Sequence, residues 1–124
     1  FLFVVDANQG YTVPEALEFL ADLRAEGIKL RWFEEPTRWH ADFRGLRDVR
    51  MRGNVDVAAG QSEISRVGMR EMMAAGAIDV CNYDASWGGG PTEWGCASAG
   101  WSAPGPGRAR TARTLLLLLS AASA

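Results

Sequence analysis

The sequence predicts an α/β protein, a partial (β/α)8-type (TIM-like) barrel of about four strands and three helices with an irregular C-terminal tail. Three observations carry that reading. Short β-rich runs alternate with helical patterns, and strand ends recur every 21 to 29 residues, the rhythm of a parallel sheet covered on both faces. Acidic residues close the strands: Asp6, Glu34, Glu63 and Asp84 stand at four successive C-terminal ends, where barrel enzymes gather their functional groups. A doubly wound sheet would instead gather its ligand groups at one crevice, usually beside a glycine-rich phosphate loop, and none follows the first strand.

Each element has a local reason. Phe1 to Val5 is a short apolar run that ends at Asp6. Thr12 and Glu15 have capping-box spacing and Pro14 falls in the first turn, where its missing N–H does no harm. Ala16, Leu17, Leu20 and Leu23 share a helical face, and Gly27 is the expected stop. Ile28 to Phe33 reads as the second strand, followed by Glu34, Glu35 and Pro36. A polar helix is expected over about His40 to Arg52, a third strand over Val55 to Ala59, and a Met-rich helix over Val67 to Ala75 closed by Gly76. Ala77 to Tyr83 is the fourth strand, ending at Asp84, and Gly88 to Gly90 reads as a flexible loop.

The chain divides at Trp94. Residues 1–94 carry the barrel pattern, whereas residues 95–124 contain no Asp, Glu, Ile or Val and continue no β/α rhythm. That segment reads as a low-complexity tail without a strand or a well-capped helix. A shifted reading frame in a GC-rich gene would give such a composition; comparing all three frames of the DNA tests this.

With 124 residues, 48% of them apolar, the chain has enough material for one domain and a real core. A net charge of −2 without a basic stripe argues against nucleic acid as a partner. The apolar start is interrupted by Asp6 and lacks a basic n-region, and the leucine run 115–119 is too short to span a bilayer, so no membrane partner is expected. Cys81 and Cys96 form no CxxC pair, which fits a reducing cytoplasm.

Carboxylates gathered at neighbouring strand ends repel one another and require a cation. An oxygen-only set selects Mg²⁺, with Mn²⁺ as a substitute, and the lack of accompanying Cys or His argues against zinc. VDANQG, WFEEP, AAGQSE and DASWGGGPTEW, in this order and spacing, resemble the enolase superfamily in its mandelate racemase/muconate lactonizing enzyme-like branch. The resemblance covers about residues 1 to 94. It implies a barrel domain that binds Mg²⁺ on three strand-end carboxylates, beside a capping domain, and removes the proton α to a substrate carboxylate.

On that resemblance Asp6 and Glu34 match the first two metal ligands, and Asp84 matches the aspartate that tunes a catalytic histidine on the next strand. Asn8, two residues past Asp6, is expected to support the metal or substrate. Glu35 faces away from Glu34 and reads as structural. The family position of the third ligand falls on Gln61, an amide; Glu63, two residues on, would reach the same centre if the chain stayed extended past Gly60. The preference of Mg²⁺ for carboxylate favours Glu63, with Gln61 as its neighbour.

The departures concern the bases. The family histidine would lie near residue 111, where the sequence has Thr111. The only histidine, His40, reads as a surface or packing residue. The paired lysines and the capping domain are also absent. The expectation is therefore a fragment of a Mg²⁺-dependent acid-sugar dehydratase, inactive alone, whose parent takes a small carboxylate such as a sugar acid and forms a homo-oligomer. The alternatives are a racemase or epimerase of a 2-hydroxy acid, or a non-catalytic half-barrel that associates with a partner. A phosphate-binding barrel is a weaker reading, since it would want late glycine-rich loops. An open half-barrel would expose two strand edges, which predicts self-association.

Overall fold

The computed structural model describes residues 1–99 and the short segment 113–114. Five parallel strands line up in chain order: β1 (Phe3–Asp6), β2 (Leu30–Glu34), β3 (Val57–Ala59), β4 (Val80–Cys81) and β5 (Arg113–Thr114). Between them run α1 (Val13–Ala25), α2 (Arg44–Arg52), α3 (Arg66–Ala74) and α4 (Pro91–Ser98). Sequential parallel strands joined by helices are the partial barrel that the sequence rhythm predicts.

α1 forms as its capping box requires. The Thr12 hydroxyl accepts from the Glu15 amide, and the Glu15 carboxylate accepts from the Thr12 amide at 2.8 Å. Two orphan donors of the first turn are thereby satisfied. α3 is capped by Ser65, whose Oγ accepts from the Gly68 amide at 3.0 Å. α2 starts at Arg44, four residues later than the sequence suggests. The segment before it is held outside the helix, because Trp39 is buried and Asp42 takes both the amide and the guanidinium of Arg44.

The core lies where helices meet sheet. Phe33, Val57, Ala59 and Cys81 of the strands pack with Ala16 and Leu20 of α1, Leu46 and Val49 of α2, and Met69, Met72 and Met73 of α3. Burying one such side chain contributes roughly 1.5–3 kcal/mol. β1 forms an edge of the described sheet, and Phe3 and Val4 are half exposed there.

Three expectations change beyond Tyr83. Gly88 to Gly90 is a pinned turn: the Tyr83 hydroxyl donates to the Gly88 carbonyl, and the Gly90 amide donates to the Ala85 carbonyl at 2.8 Å. α4 crosses the expected boundary at Trp94, and Trp94 stacks on Tyr83 with ring centroids 5.4 Å apart. Residues 113–114 pair with β4, so that part of the supposed structureless tail contains a strand. Thr111 and the leucine run 115–119 lie outside the described residues.

Candidate metal centre at the strand ends

The C-terminal ends of β1 and β2 place two carboxylates side by side, because Asp6 and Glu34 are register partners. Glu34 is half-buried and Asp6 is exposed. Burial pushes the Glu34 carboxyl above its ordinary range, and the neighbouring Asp6 charge adds to the rise; hydrogen bonds from Trp32 and Asn82 act the other way. No Lys, Arg or His of the described residues forms an ion pair with either carboxylate.

Donors reach Glu34 from two sides. Trp32 Nε1 donates at 3.3 Å, and Asn82 Nδ2 donates to Oε1. The same Asn82 nitrogen donates to Gln61 Oε1 at 3.4 Å. One amide, just beyond β4 and 2% exposed, therefore ties together oxygens from the ends of β2 and β3. Its own Oδ1 is buried without a partner. Asn82 escapes a reading that follows charge. The available signal was its place two residues before Asp84, on the run that ends the fourth strand.

Glu63 does not join this group, which corrects the expectation. The chain turns after Gly60, where the Glu63 amide donates to the Gly60 carbonyl at 3.1 Å. The period-two placement that would carry Glu63 beside Gln61 therefore fails. The Glu63 carboxylate instead accepts from the amide and hydroxyl of Ser65, both at 2.8 Å, and lies over Gly68 at the start of α3. Among the described residues no three His, Cys, Asp or Glu side chains form a metal-holding group. Gln61 instead shares the Asn82 amide with Glu34.

Gly60 makes the turn possible. Its φ is +126°, and a Cβ there would come within 2.5 Å of Met69 Cε. Any side chain would be strained in the backbone and crowded by α3. The expectation for Asn8 also changes. β1 ends at Asp6, and Asn8 and Gln9 have φ of +43° and +64°, so the alternation of side chains does not reach them. The Asn8 backbone amide donates to Asp6 Oδ1 at 2.9 Å.

Glu35 has φ of +40°, and its side chain is fully buried. Burial pushes its carboxyl upward, with Asp6 and Glu34 adding to the rise, while Gln9 donates to it at 3.4 Å. Its Oε1 and the buried Trp39 Nε1 each lack a partner at full hydrogen-bond distance, although the Trp39 indole still acts to lower the carboxyl against the rise. Asp84 is buried, and the Ser86 hydroxyl, at 2.6 Å from Oδ1, holds its carboxyl below the usual range. The position of its expected histidine partner lies outside the described residues. His40 is exposed and packs against Trp39, with ring centroids 4.3 Å apart.

The donor set is chemically suited to a hard cation. Asp6 and Glu34 contribute two anionic groups, and Gln61 and Asn82 offer amide carbonyls, with no sulfur among them. Oxygen ligands of this kind fit Mg²⁺. A parallel β/α sheet in chain order, with acids at adjacent strand ends, defines the class as a partial β/α barrel.

The comparisons agree with this class. The family described as Enolase C-terminal domain-like matches residues 2–99, so the chain belongs to the enolase superfamily, in its mandelate racemase/muconate lactonizing enzyme branch. D-galactarolactone cycloisomerase of Agrobacterium fabrum is 39% identical over 90 residues, covering 73% of this chain and 23% of that protein. L-galactonate dehydratase of Hypocrea jecorina is 36% identical over 95 residues, covering 74% and 20%. L-Ala-D/L-Glu epimerase of Thermotoga maritima is 35% identical over 80 residues, covering 64% and 23%. The chain thus spans less than a quarter of the length of these curated relatives. A mandelate racemase/muconate lactonizing enzyme from a marine actinobacterium, solved in complex with magnesium, is 39% identical with a TM-score of 0.69, covering 94% of this chain and 37% of that one. Among the described residues, no helix is long and apolar enough to cross a membrane.

Proposed function

We propose that this chain forms the metal-binding part of an acid-sugar dehydratase, an enzyme that removes the proton α to a substrate carboxylate under Mg²⁺. Asp6, Glu34 and Gln61 would hold the metal, and a small carboxylate such as a sugar acid would be the substrate. The observation that carries this reading is the pair of adjacent strand-end carboxylates, Asp6 and Glu34, with which no cationic side chain of the described residues forms an ion pair. A bound Mg²⁺ supplies positive charge where negative charge develops on the substrate carboxylate, which makes the α-proton removable by a side-chain base.

The chain's own residues have defined tasks in this reading. Asn8 fixes Asp6 through its amide, and Trp32 and Asn82 orient Glu34. Asp84, held in place by the Ser86 hydroxyl, would accept a hydrogen bond from an imidazole and raise its basicity. The histidine for that role belongs to no described residue, so proton removal needs a base from outside the described part. A racemase or epimerase of a 2-hydroxy acid uses the same groups and differs only in the step after proton removal.

The test has two parts. Incubating the chain with Mg²⁺ and a panel of aldonic and aldaric acids should yield no 2-keto acid, since the base is missing. Robust turnover would refute that account of the chain and reveal a base elsewhere in it. Titrating Mn²⁺ by electron paramagnetic resonance should show one site that Asp6→Asn and Glu34→Gln each abolish; binding that survives both changes would remove the metal reading.

A further inference from the structure

Asn82 is the least expected member of the strand-end group. It is almost wholly buried, and its Nδ2 faces two acceptors, Glu34 Oε1 and Gln61 Oε1. Its Oδ1, also buried, meets no donor. A buried carbonyl oxygen without a donor or a cation is rare and costly, so its presence asks for an explanation. The amide protons sit between oxygens of two strand ends, the location that suits positive charge.

The two ends of an asparagine amide are nearly the same size. The torsion that exchanges them is broad and roughly two-fold, so rotation changes donor into acceptor with little change in packing. We propose that Asn82 works in two orientations: in the metal-free chain it donates to Glu34 and Gln61 and holds their oxygens together, and with a divalent cation bound it turns Oδ1 inward as an oxygen ligand. The inference rests on the metal-binding reading above and adds to it a ligand and a reason for the unpartnered oxygen.

Charge supports the assignment. Asp6 and Glu34 carry two negative charges, which balance one Mg²⁺, while the Gln61 and Asn82 carbonyls add oxygens without further repulsion. A third carboxylate at position 61 would leave a surplus charge when the metal is absent. The neutral pair lets the site stay assembled before the cation arrives, with the Asn82 protons in its place.

The experiment is Mn²⁺ titration of the full chain by electron paramagnetic resonance, with wild type, Glu34→Gln, Asn82→Leu and Asn82→Asp. Glu34→Gln should abolish binding. Asn82→Leu should weaken it about tenfold or more, the scale of losing a supporting or direct ligand. Asn82→Asp should tighten it. If Glu34→Gln abolishes binding and Asn82→Leu leaves it unchanged, the role of Asn82 is overturned while the metal reading stands. If wild type binds no Mn²⁺, or Glu34→Gln binds as well as wild type, both fail. A second measurement needs no variant: the side-chain ¹⁵N–¹H₂ resonances of Asn82 in wild type, followed as Mg²⁺ is added. Loss of the carboxylate hydrogen bond should move them strongly. Resonances that stay fixed while Mg²⁺ saturates the site would overturn the proposal even if Asn82→Leu does not fold.

Discussion

The two ends of the sheet treat their charges in opposite ways. At the N-terminal end of β4, Asp79 forms a two-pronged ion pair with Arg50, at 2.9 Å from Nε to Oδ2 and 2.8 Å from Nη2 to Oδ1. Asp79 Oδ2 also accepts from the Val57 amide at 3.1 Å, so the pair joins α2 to β3 and β4. Arg31 lies 3.8 Å from Asp56 at the same end. At the C-terminal end, Asp6 and Glu34 lie beside each other with amides and an indole for partners. The same carboxylate chemistry thus serves two purposes. Where a guanidinium is built in, the acid fixes the fold; where none of the described residues supplies one, the acid is left with neutral donors.

Breaking the closed end should have the largest effect. Asp79→Ala removes the two-pronged carboxylate from the mostly buried Arg50 guanidinium, and losing one member of a buried pair costs about 3–5 kcal/mol. Urea denaturation should show that loss with Mg²⁺ present or absent. The open end responds to ligand instead. Mg²⁺ at about a hundred times its Kd should stabilise wild type by about 2.7 kcal/mol, the linkage expected for binding to the native state alone. Thermal denaturation should show this shift for wild type and none for Glu34→Gln.

Replacing Gln61 with Glu sharpens the contrast further. It should tighten Mg²⁺ binding by about tenfold or more, since affinity rises with ligand charge, and should lower the stability of the metal-free chain. Calorimetric titration and thermal denaturation together check both directions.

Smaller effects come from buried groups near that end. The raised pKa of Glu35 means that the folded chain holds this proton more tightly than the unfolded chain, whose ordinary value is about 4.5. Stability from this group is therefore fully present below that value and is lost as pH rises through the folded pKa. Glu35→Gln should stabilise the chain by about 1 kcal/mol at pH 7, the scale of one unmade buried hydrogen bond. The gain should shrink toward pH 4, which a series of denaturation curves can follow. The smallest effect concerns the thiols. Burial pushes Cys81 up to about 12, and it lies against Met69, so it should resist a thiol reagent until the chain unfolds.

Much of the framework was legible because it depends on local chemistry. The capping box of Thr12 and Glu15, the stops at Gly27 and Gly76, and the acids at strand ends all arise from residue type and spacing. The family resemblance added a metal-ligand role for Asp6 and Glu34, which the fold brings together. The hidden part depends on where extension stops. Asn8 and Glu63 were placed by the two-residue alternation of a strand, yet the chain leaves the extended form after Asp6 and after Gly60. Asn82 was hidden for another reason: it is neutral, and its role comes from a tertiary contact with Glu34, 48 positions away. α4 had readable signals, Pro91 at its start and Glu93 in its first turn, which the composition of the following segment obscured.

The positive φ of Glu35 makes two neighbouring, chemically identical side chains answer to different constraints. Glu34 reaches the open strand end and Glu35 enters the core. Their tolerance to change should therefore diverge. A library randomised at both positions and selected only for folding should drift freely toward neutral residues at 35, while one selected for cation binding should keep an acid at 34. Adjacent letters in the sequence would record two separate histories, one of folding and one of binding.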